Sequence, residues 1–116
     1  MNKTIFLVDD DVSILKSFQR LFLLLDSEDI LITTESAEEA LKITEEKTPD
    51  IFICDLYMPG MSGRECLEII KKQYPNCKTI LLTGDIDTEK NRQPYIDFIM
   101  SKPCHPEKIL RLLRKG

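Results

Sequence analysis

Residues 4–15 read "TIFLVDDDVSIL": an apolar run, Ile5 to Val8, stops at three consecutive carboxylates, Asp9, Asp10 and Asp11. Its composition is that of a core strand. Adjacent charges of one sign repel by about 1 kcal/mol per pair in water, and by several times that in a partly buried site. A strand ending this way implies a positive counter-charge at its tip, and the rest of the chain shows what sheet surrounds it.

Working outward, similar short runs recur. "TIFLVD" at 4–9 is followed by "ILITT" at 30–34, "IFICD" at 51–55, "TILLT" at 79–83 and "IDFIMS" at 96–101. Most are continuously apolar rather than alternating, as strands covered on both faces are. Helical periods separate them. Over 13–25, Ile14, Leu15, Phe18, Leu21, Phe22 and Leu25 keep the i, i+3/i+4 spacing. "SAEEALKI" opens with Ser36 and carries Glu39 three residues on, and "SGRECLEII" repeats this capping-box pattern with Ser62 and Glu65. A last helix is predicted in "HPEKILRLLRK", where Pro106 suits the first turn and Arg111, Arg114 and Lys115 suit the negative end. Strand and helix in alternation predict an α/β fold with a doubly wound parallel sheet and right-handed crossovers. In such sheets, sites form beyond the carboxyl ends of the strands, where strand order reverses.

The bulk properties narrow the class. The 116 residues fit one domain over 1–116, with a core of ordinary size. A formal net charge of −4 disfavours direct binding to nucleic acid or an anionic membrane. The longest apolar run, "LFLLL" at 21–25, is far short of a membrane span. Too few apolar residues precede the aspartates for a signal peptide, and a cytoplasmic setting is expected. Cys54, Cys66, Cys77 and Cys104 form no CxxC pair, which favours buried free thiols over zinc or a disulfide framework.

The predicted strand ends carry a coherent set: Asp9 and Asp10, then Asp55, Thr83, and Lys102-Pro103. No GxGxxG or GxxxxGK[ST] follows the first strand, so a nucleotide cradled on a helix N-terminus is disfavoured. Carboxylates with open coordination positions suit Mg²⁺, which accepts one or two acids and a phosphoryl oxygen while keeping water. A carboxylate beside that ion can attack a phosphoryl group to give an aspartyl phosphate. The cation, Lys102 and Thr83 then neutralise and hydrogen-bond the phosphoryl oxygens.

The pieces "VDDD" (8–11), "ICDLYMPGMSG" (53–63), "LLTG" (81–84) and "SKP" (101–103), in this order, resemble the receiver domain of two-component response regulators. The resemblance covers essentially the whole chain; each piece is weak alone and the ordered set is specific. It implies a flavodoxin-like, CheY-like sheet of five strands in the order 2-1-3-4-5. It makes Asp55 the phosphoacceptor, taking a phosphoryl group from a sensor histidine kinase or a phosphotransfer protein. Mg²⁺ is then held by Asp10 and Asp55 directly, by Asp9 largely through water, and by the backbone carbonyl of Tyr57. Lys102 pairs with the acceptor, with a cis bond to Pro103 implied. Thr83 is the switch hydroxyl, and Gly84 offers its N–H nearby. Pro59, Gly60 and Gly63 shape the loop after the acceptor, where glycine permits positive φ. Phosphorylation adds charge and acceptor oxygens that draw the Thr83 loop inward and bias the surface around the last two strands. The partners implied are the kinase, an effector domain or output protein, and a homodimer formed on phosphorylation. The domain is a signalling switch that catalyses only its own phosphorylation and slow dephosphorylation.

Two positions depart from the family pattern. The aromatic residue that receivers commonly carry three before the lysine is Ile99 here, with Phe98 one position earlier. Either a bulge returns Phe98 to the site's side or the aromatic half of the switch is missing. Thr83 and Lys102 lie only 19 residues apart, and "GDIDTEKNRQPY" contains Pro94, so the fourth helix is predicted to be short, displaced or irregular. Tyr57 itself offers a bulky side chain to screen the acyl phosphate from water.

Plainer readings stand beside these. Asp11 reads as a helix-start charge ahead of a third metal ligand. His105 reads as exposed or capping, and Cys104 as a packing residue. The surplus of leucines at 21–25 reads first as core and second as a partner surface. Two rival functions remain: a receiver-like scaffold that binds partners without phosphorylation, and a phosphohydrolase with an aspartate nucleophile. The second usually needs an acid two residues after the nucleophile, where this chain has Tyr57.

Overall fold

The structure, a computed structural model, describes residues 2–25, 28–84, 88–102, 107, 108 and 111. Five strands, β1 (Thr4–Val8), β2 (Ile30–Thr34), β3 (Ile51–Asp55), β4 (Lys78–Thr83) and β5 (Phe98–Ser101), form one sheet in the order β2-β1-β3-β4-β5. All four pairings are parallel, as predicted. β5 begins two residues later than the predicted 96–101, because the Ile96 N–H donates to the Gln93 carbonyl at 3.0 Å and closes a turn there.

Four helices complete the described architecture: α1 (Val12–Leu25), α2 (Ala37–Thr44), α3 (Gly63–Gln73) and α4 (Thr88–Asn91). The serine of each predicted capping box caps its helix, with Ser36 accepting from the Glu39 N–H and Ser62 from the Glu65 N–H. Asp11 is settled as a helix start: its carboxylate accepts from the Ser13 N–H at 3.0 Å. The predicted last helix falls mostly outside the described residues; Glu107, Lys108 and Arg111 are helical. No helix among the described residues is long and apolar enough to cross a membrane.

The core has two layers, one on each sheet face. Ile5, Leu7, Ile53, Ile80 and Leu82 pack with Leu15 and Phe18 of α1. Phe6, Val8, Phe52, Cys54 and Leu81 pack on the other face with Ala37, Ala40, Cys66, Leu67 and Ile70 of α2 and α3. β3 is buried at every position, which is why its sequence shows no alternation. Cys54, Cys66 and Cys77 are buried free thiols. Hydrogen bonding with Cys66, then burial, holds the Cys54 thiol well above its ordinary range, and burial pushes Cys77 up to about 12. Neither is poised to react.

The start of β5 is stapled to α3 and β4 by one carboxylate. Asp97 Oδ2 accepts from Lys71 Nζ at 2.6 Å and from the Thr79 N–H at 2.9 Å. Burial opposes ionisation of Asp97, but these donors outweigh it and hold its carboxyl below the ordinary value. Its side chain is 33% exposed, so solvent screening limits the pair. Asp97→Ala is expected to cost about 1 kcal/mol in urea denaturation at neutral pH. A depressed carboxyl stabilises the fold above its unfolded pKa, about 3.9, so the gap between wild type and variant closes as pH falls through the native value.

Candidate functional site

The strand tips converge as expected. The alternation that turns Leu7 and Ile53 toward α1 carries on to Asp9 and Asp55, so both carboxylates reach the same side of the sheet edge. Lys102, just past β5, meets both: its Nζ lies 3.0 Å from Asp9 Oδ2 and 3.1 Å from Asp55 Oδ1. This ammonium is the positive partner implied by the opening stretch. Asp9 is fully buried, and its Oδ1 accepts from the Asp11 N–H at 2.9 Å. Among the described residues its Oδ2 makes no hydrogen bond and has the ion pair with Lys102.

Electrostatics at the tip are unbalanced toward negative charge. Burial first, and then the charge of Asp9, raise the Asp55 pKa against the lowering effect of Lys102. Burial also works against the Lys102 ammonium, but the two carboxylates outweigh it and its pKa is raised. One carboxylate oxygen each from Asp9, Asp10 and Asp55 meet at this point, all within 4.8 Å of one another. Three carboxylates against one ammonium, with an unsatisfied buried oxygen among them, suit a hard divalent cation with oxygen ligands.

Thr83 ends β4 and is buried, and its carbonyl accepts from the Lys102 N–H at 2.9 Å, so the backbone couples the predicted switch residue to the lysine. Gly84 is exposed and open around its Cα. Tyr57 is 65% exposed in the loop after Asp55. Pro103, Cys104 and His105 lie outside the described residues.

The two glycines of that loop act differently from one another. Gly60 has φ +84°, as expected. Gly63 does not have positive φ; the reason for glycine there is close approach. A Cβ on Gly63 would collide with the Asp55 carbonyl oxygen and come within 2.9 Å of Leu56 Cα. The Gly63 N–H donates to the Leu56 carbonyl at 3.0 Å, seating the start of α3 directly on the backbone that carries Asp55.

The aromatic question is answered by register. β4 and β5 pair without interruption from Ile80–Phe98 to Thr83–Ser101, so there is no bulge. Phe98 shares the face of Ile80, whereas Ile99 is level with Leu81 and shares the face of Thr83. The residue on Thr83's side is aliphatic. Sequence reasoning missed Arg64, whose Nη1 donates to Asn91 Oδ1 at 3.2 Å and ties α3 to the single turn of α4. No local pattern marks a bond between residues 27 positions apart.

Comparison with known proteins agrees with this geometry. The sequence pattern of the response regulator receiver domain matches residues 5–114. The DNA-binding transcriptional regulator NtrC of Proteus hauseri is 33% identical over 97% of this chain and 24% of its own length. The chain thus spans about a quarter of the length of the first curated relatives it matches. Among solved structures, the chemotaxis response regulator CheY4 of Vibrio cholerae superposes with a TM-score of 0.85 at 26% identity, covering 99% of this chain and 98% of that one. The response regulator TrrA of Thermotoga maritima, solved with Mg²⁺ and BeF, gives 0.78 at 30% identity, covering 97% of each chain.

Proposed function

The chain belongs to the response regulator receiver domain family, and on that premise we propose that residues 1–116 form a single receiver domain that accepts a phosphoryl group on Asp55. The observation that carries this reading is the tip geometry: Lys102 bridges Asp9 and Asp55, with Asp9 Oδ2 otherwise unsatisfied. Asp10 and Asp55, the Tyr57 carbonyl, and Asp9 through water would hold Mg²⁺. Bound there, the ion would supply charge neutralisation for the phosphoryl oxygens.

The chain's own groups then divide the work. An Asp55 carboxylate oxygen attacks phosphorus as the bond from phosphorus to the donor's imidazole nitrogen breaks; the departing nitrogen keeps the electron pair, and the ring takes a proton from solvent to leave as neutral imidazole. Lys102, whose ammonium lies 3.1 Å from Asp55 Oδ1, would shift toward the phosphoryl oxygens. The Thr83 hydroxyl donates to the same group and draws the end of β4 with it, and the Lys102 N–H to Thr83 carbonyl bond carries that motion into β5. A donor kinase or phosphotransfer protein and an effector domain or output protein are the partners of this reading, in the cytoplasm. Slow hydrolysis of the acyl phosphate completes the cycle.

Heteronuclear NMR with Mg²⁺ and beryllofluoride tests the reading. Shifts are expected at Asp55, Thr83, Lys102 and along the β4–β5 edge, and none from beryllofluoride in Asp55→Asn. A spectrum unchanged by saturating Mg²⁺ and beryllofluoride would overturn it, and repeated turnover of a small phosphomonoester would favour a hydrolase. The exposed ring of Tyr57 serves to screen the acyl phosphate from water. Tyr57→Asn is therefore expected to lose its phosphoryl group several-fold faster, measured as the decay of phosphoprotein; an unchanged or slower rate refutes the screen.

A further inference from the structure

We propose that the C-terminal half of α1 is a self-association face, through which two copies of this chain pair about a two-fold axis with α1 antiparallel to α1. The leucine surplus at 21–25 is not core: Leu23 is 81% and Leu24 83% exposed, and Leu25 and Ile30 beside them are also exposed. Beside them runs a groove of about 410 Å³ lined by Gln19, Phe22, Leu23, Asp29 and Leu31. An apolar knob next to a groove walled by Phe22 and Leu31 is a pair that a second copy satisfies twice, the knob of each filling the groove of the other.

Charge order names the occupant. On the outward side of α1, exposed Lys16 and Arg20 precede Leu23 and Leu24 at helical spacing, and exposed Glu28 follows the helix. An antiparallel two-fold centred on the leucines sets Arg20 of each copy opposite Glu28 of the other. α1 carries no basic residue in its last turn, and Arg20 of the second copy would bring a positive charge to its negative end. In chain order the exposed residues run basic, apolar, acidic, an order that an antiparallel second copy complements. The face also leaves the acidic site open. α1 starts beside Asp9, at Val12, and carries Leu23 and Leu24 about 17 Å away along the helix axis. The patch is small, so the dimer is a weak one.

Sedimentation equilibrium of the chain from about 10 μM to 1 mM reads this directly, with a dissociation constant on the order of 100 μM expected. Leu23→Gln/Leu24→Gln should weaken association at least about tenfold. Arg20→Glu and Glu28→Lys should each weaken it, and the double variant Arg20→Glu/Glu28→Lys should restore it, because each reversed charge then faces a reversed partner. Circular dichroism melts establish that the variants fold, and the charge series stands alone if the glutamine pair does not. A wild-type chain monomeric throughout, an unaltered constant in the leucine variant, or no restoration in the charge double would each overturn the proposal.

Discussion

Asp55→Asn is expected to abolish phosphoryl acceptance and, in metal-free buffer, to make the fold more stable. The first effect follows from the proposed chemistry, since an amide oxygen is not a nucleophile toward a phosphodonor. The second follows from the site. Burial and the neighbouring Asp9 charge penalise the ionised Asp55 carboxylate more than Lys102 rewards it, so its pKa is raised. A native state that binds the proton more tightly than the unfolded chain loses stability as pH rises, starting near the unfolded carboxyl value of about 3.9 and ending above the raised native one. Asparagine removes that loss. Urea denaturation of both proteins across pH 4 to 8 should show curves that separate in favour of the variant as pH rises. Phosphoprotein electrophoresis after treatment with a small phosphodonor should show acceptance in wild type alone. A variant less stable than wild type at neutral pH without metal would sink the electrostatic account.

Lys102→Met should do the opposite and cost about 3 kcal/mol in metal-free buffer, because it leaves a buried carboxylate without its charge partner. Among the described residues Asp9 Oδ2 has no hydrogen bond, and the Lys102 ammonium is its ion-pair partner. Burial alone would lower the lysine pKa, but the two carboxylates raise it. Its stabilisation is therefore complete below the unfolded lysine value of about 10.4 and fades as pH climbs through the native one. Added Mg²⁺ should recover more stability in the variant than in wild type, since the carboxylates no longer share their charge with an ammonium. Thermal melts with and without Mg²⁺ measure both effects. A cost below about 1 kcal/mol, the range of an exposed pair, would show that Asp9 does not depend on Lys102.

Fold and site were legible to different depths for identifiable reasons. β3 was read to the residue because a strand buried on both faces leaves an uninterrupted apolar block bounded by polar positions. The Asp9–Asp55–Lys102 cluster was legible because parallel strands bring their carboxyl ends to one edge whatever the loops do between them. The truncated α4 followed from Pro94. The Lys71–Asp97 and Arg64–Asn91 bonds were not legible, since each joins side chains more than 25 positions apart and needs only one suitable donor and acceptor. Periodicity located the inward side of α1 at Leu15 and Phe18, yet it could not show that Leu23 and Leu24 face solvent. Gly63 was assigned the wrong reason, because close approach of two backbones is a property of the third dimension.

The brevity of α4 has one more consequence. Four residues extend only about 6 Å along a helix axis. That is too short for the row of side chains at i, i+3, i+4 and i+7 into which a groove-forming receptor slots. A protein docking on this flank must instead grip the peptide path of the turn and the guanidinium clasp from Arg64 that pins it. Its selectivity would then lie in contour rather than in a ladder of side-chain identities.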